Sequence, residues 1–416
     1  MRPIVKEIGK VYGEANRDAQ IRRYRAAEVK FAEHFGELGE HRFFSVPGRT
    51  EICGNHTEKN NGKSFAASVT ADAVAVVEPT DDGFVTIKSE GFDEDRININ
   101  ELDPREDEKN TSAALIRGVL KGFEKSRNSI GGFRAYTTSS VKRGSGLASS
   151  AAFAVLVGTI ISHLFNDGEI SPVRIAQAAQ FAENEYFGRA SGLLDHLACA
   201  HGGFIAVDFK DDNIPVVEGV RYDMANSEHA LCIVNTAGEE DDHSAKYKTI
   251  AEEMREVAGF FDCRTLRSLS LPDIMLNIGV LRKAVGDRAV LRAIHFFNEN
   301  ERVDKIVHAL KNDDFENFLY SVRESGDSSF KYLQNIYTES DFKHQSLTLA
   351  LNIAENTLWR RGACRVHGSG FSGTLQAFVP LDTLTEFKMN MERVFGGGSC
   401  KVLSVRQTGG CEIIIE

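Results

Sequence analysis

From Arg143 to Ala152 the chain reads Arg-Gly-Ser-Gly-Leu-Ala-Ser-Ser-Ala-Ala, and the run from Ala151 to Leu164 is mostly apolar. Glycines at 144 and 146 permit a sharp turn and close approach of backbone to a ligand. The apolar run predicts a buried helix, too short and too interrupted to span a bilayer. Ser149, Ser150 and Ala151 then form its first turn, where unpaired amides and the helix dipole favour an anion. A serine hydroxyl there can also reach a metal ion carried by a nucleotide. The pattern is neither GxxxxGK[ST] nor a complete GxGxxG. Taken alone, it is better described as a helix capped after a glycine turn.

A chain of 416 residues exceeds one compact core of usual size, so two domains are expected. The net charge of −11, from 49 basic and 60 acidic residues, opposes general nucleic-acid binding. A small anion held by local amides remains compatible with it. Seven cysteines, widely spaced and without a CxxC pair, argue against a disulfide framework or a zinc site. Reduced thiols and an amino-terminal stretch without a signal-peptide core predict a cytoplasmic protein that avoids membranes. A monomer or weak homo-oligomer is expected.

Residues 1–40 read as largely helical, with Ala27, Phe31 and Phe35 at helical spacing. Strands are predicted at Phe43–Val46, Ser64–Glu78, Phe84–Ser89, Gly132–Ser140 and Gly202–Phe209. The acidic stretch Asp93–Lys109 reads as a solvated loop. Thr111–Ser126 reads as a helix with an Asn/Thr/Ser start. Beyond Val220, helical patterns dominate at Asp241–Phe261, Leu271–Val285, Arg288–Ala309 and Gln345–Arg361. Strands Gly373–Val379 and Cys411–Ile415 follow. This irregular mixture predicts an α+β fold with domains 1–220 and 221–416. His295 and Glu299 stand one helical turn apart, a spacing that suits a metal, but no further ligand is apparent and a structural role is favoured.

Three segments carry a family resemblance. Gly-x-Gly-Leu-x-Ser-Ser-Ala is similar to the nucleotide-phosphate loop of the GHMP kinases. Pro47-Gly-Arg-Thr-Glu-Ile-Cys-Gly-Asn-His-Thr-Glu58 resembles the galactokinase signature within that family. Gly362-Ala-Cys-Arg-Val-His-Gly-Ser-Gly-Phe-Ser-Gly373 resembles its third, glycine-rich motif. The three occur in the family's order, and the resemblance covers nearly the whole chain. It implies a two-domain GHMP kinase fold: a mixed β-sheet amino-terminal domain and a helix-rich carboxy-terminal domain with an antiparallel sheet.

The resemblance also implies roles. Asp195 falls at the catalytic aspartate and Arg49 at the active-site arginine. The carboxylate would take or orient the proton of the attacking hydroxyl. The guanidinium would stabilise the ionised aspartate and the charge on the transferred phosphoryl group. Ser150 and Glu183 match the Mg2+ ligands, and ATP would rest on Gly144, Ser145, Gly146, Leu147, Ser149 and Ser150, with Gly368 and Gly370 closing the site. Asn55, His56, Glu58, Gly192 and Tyr247 match the sugar-binding positions. Asn55 and Glu58 stand where Glu and Asp are usual, and a hydrogen-bonding pocket discriminates strongly between hydroxyl arrangements. Ser191 and His196 replace the usual Cys and Gln, and Lys142 a common proline. The acidic Glu239–Asp242 cluster would repel an anionic sugar such as a uronic acid. The activity implied is ATP-dependent phosphorylation of galactose at its anomeric hydroxyl. A related sugar 1-kinase with another substrate, or a non-catalytic sensor of sugar and ATP, remain the alternatives.

Overall fold

The computed structural model describes residues 4–142, 144–211, 214–236, 244–338, 343–371 and 373–415. The acidic cluster at 239–242 therefore lies outside the described residues, as do Arg143 and Ser372 of the glycine-rich segments. The chain forms two units. The first comprises residues 1–49, 68–203 and 406–416; the second comprises 50–67 and 204–405. The sequence reading placed one boundary near Val220, whereas the chain changes unit at four points, two of them inside long strands. A domain whose pieces are scattered along the chain leaves no linker composition to read.

In the first unit a mixed sheet carries the helices. Ile4–Val5 runs parallel to Cys411–Ile413, which lies antiparallel to Phe43–Ser45. Ala73–Thr80 pairs antiparallel with Gly132–Ser139, and Val85–Ser89 pairs parallel with Phe133–Thr137. Tyr24, Ala27 and Phe31 of the helix Arg17–Phe35 bury their apolar stripe against Val74, Val76 and Tyr136. Thr111 caps the helix Ser112–Lys125 by accepting the Ala114 amide. The apolar run becomes the helix Ser149–Phe165, buried along most of its length.

The acidic stretch is a correction to the sequence reading. Glu94–Asn98 is a strand, antiparallel to Phe84–Lys88, and buries Ile97 completely. Arg117, itself buried, holds Glu108 in a two-point ion pair at 2.6 and 2.7 Å. A single apolar residue amid charges gave too weak an alternation to signal that strand.

In the second unit Lys63–Ala67 pairs with Phe204–Asp208, which pairs in turn with Val216–Val220. A four-stranded antiparallel sheet runs in the order Ala363–Val366, Thr374–Pro380, His229–Asn235, Cys400–Leu403. Its core joins Cys232, Val234 and Leu375 to Ala350, Ala354, Phe387 and Met391 of the helices Ser346–Leu358 and Leu384–Phe395. A helical cluster built from Ser244–Phe260, Leu271–Ala284 and Asp287–Lys311 packs around Met254, Leu281 and Phe296. The α+β expectation, with a mixed sheet and a separate antiparallel sheet, holds. All seven cysteines are free thiols. No helix among the described residues is long and apolar enough to cross a membrane.

Candidate active site

In the first unit, the glycine turn does what its composition allows. Gly144 and Gly146 adopt φ of 71° and 72°, and Ser145 Oγ donates to the Lys142 carbonyl at 2.6 Å. Ala148 enters the left-handed region at φ 61°, unusual for a residue with a Cβ. It is the N-cap of Ser149–Phe165, and no side chain caps that helix. The first-turn amides are thus left for an anion, with the helix dipole behind them. Leu147 is buried, and its carbonyl accepts the Arg49 amide at 3.1 Å.

Arg49 also reaches this turn with its side chain. Its guanidinium donates to the Gly146 carbonyl at 2.5 Å and grips Asp195 with two bonds of 2.5 and 2.6 Å. A two-point, charge-assisted contact of this kind fixes orientation as well as distance. Asp195 stands in the first turn of the helix Leu194–His201. Its side chain keeps 34% of its surface exposed while that of Arg49 keeps 8%, so the carboxylate is the accessible member.

Ser150 Oγ donates to Glu183 Oε1 at 2.7 Å. Glu183 sits on a π-helical turn, Ala182–Phe187, that extends the helix Pro172–Phe181. Such turns recur at functional positions because they re-aim one side chain. Burial raises the Glu183 carboxyl, but the His196 ring, the Ser150 hydroxyl and Arg189 outweigh it and hold the group down at about 2. His196, fully buried, places Nε2 2.9 Å from Glu183 Oε2 and Nδ1 3.2 Å from the Gly192 carbonyl. The oxygens of Ser150 and Glu183 lie close to the ~3 Å expected of neighbouring ligands around octahedral Mg2+. No group of three or more His, Cys, Asp or Glu side chains suited to a metal occurs among the described residues. An ion held here would take the rest of its shell from phosphate and water.

In the second unit, three of the candidate sugar residues, Asn55, His56 and Tyr247, gather on the third glycine-rich motif. Asn55 Nδ2 donates to the Gly368 carbonyl at 2.8 Å and to Glu51 Oε1 at 3.2 Å, while its Oδ1 accepts from Asn335 Nδ2 at 2.7 Å. His56, with φ 60°, donates from Nε2 to the Ser369 carbonyl at 2.8 Å. Burial pushes its imidazole down to about 4. Tyr247 OH donates to the Gly370 carbonyl at 3.2 Å, and its ring centroid lies 5.7 Å from that of His56. Gly368 and Gly370 have φ of 63° and 80°, and a Cβ on Gly370 would fall 2.2 Å from the Asn335 carbonyl. Only glycine fits there. Glu58, half-buried, opens the short 3-10 turn Glu58–Asn60.

The sequence candidates therefore fall into two sets. Arg49, the glycine turn, Ser150, Glu183, Gly192 and Asp195 gather in the first unit; Asn55, His56, Tyr247, Gly368 and Gly370 gather in the second. Sequence reasoning missed Asn335, which lies in no recognised motif. It noted His196 only as a replacement, although a histidine one position after the key aspartate was a visible signal.

The family model of the GHMP kinases N terminal domain matches residues 114–203, and that of the galactokinase galactose-binding signature matches 29–79. The chain is 27% identical over 373 residues to a galactokinase of Lacticaseibacillus paracasei, covering 88% of this chain and 92% of that one. It is 28% identical to a galactokinase of Glaesserella parasuis, covering 85% and 89%. The structure of Lactococcus lactis galactokinase complexed with galactose superposes with a TM-score of 0.79 at 23% identity, over 94% of this chain and 99% of that one. Methanococcus jannaschii mevalonate kinase matches with a TM-score of 0.62 at 14% identity, over 89% and 99%. The chain has the GHMP kinase fold and carries, in order along it, the galactokinase galactose-binding signature and the GHMP kinase N-terminal domain.

Proposed function

We propose that this chain transfers the γ-phosphoryl group of ATP to the anomeric hydroxyl of galactose, giving galactose 1-phosphate and ADP. One observation carries the reading: Arg49 grips Asp195 with two bonds and the Gly146 carbonyl with a third. A carboxylate that must receive or orient a hydroxyl proton is thereby tied to the turn that would cradle the nucleotide phosphates. The galactokinases among its relatives and the matched galactose-binding signature supply the substrate.

In this mechanism Asp195 accepts the proton of the sugar hydroxyl as its oxygen attacks phosphorus. Arg49 keeps the carboxylate in place and offsets charge on the transferred group. The first-turn amides of Ser149–Phe165 and the turn Gly144–Leu147 bind the phosphate tail. Ser150 and Glu183 would hold Mg2+, which neutralises phosphate charge when bound. Asn55, His56, Glu58, Gly192 and Tyr247 are the proposed sugar contacts. The protein is proposed to act in the cytoplasm, as a monomer or weak homo-oligomer.

A second reading, a related kinase with another sugar, has one observation in its favour. The carboxamide of Asn55 is engaged by Gly368, Glu51 and Asn335, where the usual signature offers a carboxylate. ADP release measured with a panel of hexoses, with and without Mg2+, decides between the two. Galactose-dependent turnover supports the first, turnover only with another sugar supports the second, and tight sugar binding without turnover would overturn both.

A further inference from the structure

Among the described residues His295 and Glu299 join no group of three or more side chains suited to a metal, and they face the backbone of the candidate sugar turn. Both are fully buried on the helix Asp287–Lys311. Glu299 Oε2 accepts the Gly54 amide at 2.7 Å, the Cys53 thiol at 3.3 Å and the Ser325 hydroxyl at 2.9 Å. Its other oxygen is paired with Arg302. His295 Nε2 donates to the Asn55 carbonyl at 2.9 Å, which leaves Nδ1 to accept from Ser328 Oγ at 2.8 Å. Arg365, fully buried, donates to the Ile52 carbonyl and to Ser325 Oγ. Four successive residues, Ile52, Cys53, Gly54 and Asn55, are each held by a buried polar group of this cradle.

Burying a carboxylate and two guanidinium groups is seldom the most stabilising way to fill a core. The turn they hold explains the arrangement. Gly54 has φ 86°, and a Cβ there would fall 2.3 Å from the Lys63 carbonyl. His56 follows two residues later in the left-handed region. Backbone in such conformations persists only where its surroundings over-determine it.

We propose that His295 and Glu299 are positioning residues for sugar recognition, fixing the Gly54–Asn55 backbone so that Asn55 and His56 present one geometry. This rests on the reading that the turn grips a sugar. The test compares His295→Leu, His295→Gln and wild type by hydrogen exchange and by kinetics. In His295→Leu, amides of residues 50–58 exchange about tenfold faster and the KM for galactose rises about tenfold, as expected for one lost buried hydrogen bond. The KM for ATP and exchange in residues 70–78 stay at wild-type values. His295→Gln, whose carboxamide nitrogen reaches the place of Nε2, restores most of both. If His295→Leu does not fold, Ser328→Ala, which frees the ring, gives a smaller change in the same direction. Unchanged exchange at 50–58, or equal losses for both substrates, overturns the proposal. Failure of wild type to use galactose would instead sink the assignment of galactose as substrate, and the exchange comparison would still decide whether the cradle holds the turn.

Discussion

The glycine turn of the first unit and the sugar turn of the second are built on opposite plans. The first has few side-chain ties. Its helix is uncapped, and its conformation comes from Gly144, Gly146 and a left-handed Ala148. The second is held by side chains remote in sequence: Glu299, His295, Arg365 and Asn335 all bond to residues 52–55. The difference follows from the ligands proposed for them. A phosphate tail is recognised by backbone amides and a dipole, so small residues suffice. A sugar is recognised by directed hydrogen bonds, and those require side chains fixed by further side chains. The transfer chemistry, resting on Arg49 and Asp195, belongs with the first plan and should be lost without disturbing the second.

That last point yields the largest expected effect. Asp195→Asn keeps a side chain of the same shape but removes the proton acceptor. Its kcat should fall about 10³-fold, with galactose binding by calorimetry close to wild type. A rate within about tenfold of wild type would remove Asp195 from proton handling and break the division drawn above.

Next in size is Glu299→Gln, which tests the second plan through stability. Burial raises this carboxyl, but His295, Arg302, Arg365 and the Gly54 amide together hold it down at about 2, against an ordinary 4.5. A depressed carboxyl contributes stability that is present above the unfolded value and lost as pH falls through the folded one. The variant should therefore be less stable at pH 7 by up to about 3 kcal/mol. The gap should close between pH 4.5 and about 2. Denaturant melts across that range read it directly. A gap that stays constant with pH would show that the charge on Glu299 does not hold the turn.

What could be read in the sequence divides along the same line. The buried helix, its amino-terminal serines and the strands Phe84–Ser89 and Gly132–Ser139 were legible, because local pattern sets them. The motif aspartate and arginine were legible through their setting, and the structure brings them into contact. The strand Glu94–Asn98 was not, since one buried isoleucine in an acidic run gives no period. The π-turn under Glu183 has no residue signature, and the role of Asn335 depends on a contact 280 residues away along the chain. His295 and Glu299 were visible as a pair, but what ties them to the sugar turn is chiefly the Gly54 amide and the Asn55 carbonyl, backbone groups that no side-chain pattern announces.

Asn55→Asp tests the tie from the sugar turn to the third glycine-rich motif. It places an oxygen where Nδ2 now donates to the Gly368 carbonyl and Glu51, turning two attractions into repulsions. The KM for galactose should rise about tenfold, read from initial rates at saturating ATP. If the KM for ATP rises in its place, Gly368 serves the nucleotide, as its motif implies, and the sugar turn reaches beyond its own ligand.

The smallest effect falls on the first plan. Ala148 bears the penalty of a Cβ in the left-handed region, about 1–2 kcal/mol for an L-residue. Ala148→Gly removes that penalty but loosens the unfolded chain, which offsets roughly half of it. Unfolding should shift to slightly higher denaturant, by about 0.5–1 kcal/mol. The KM for ATP should barely move if the amides of Ser149–Phe165 carry phosphate binding, because their placement depends on the helix. A clear rise would mean that the strain at Ala148 aims the turn, and that the glycine turn, like the sugar turn, depends on a conformation its own residues resist.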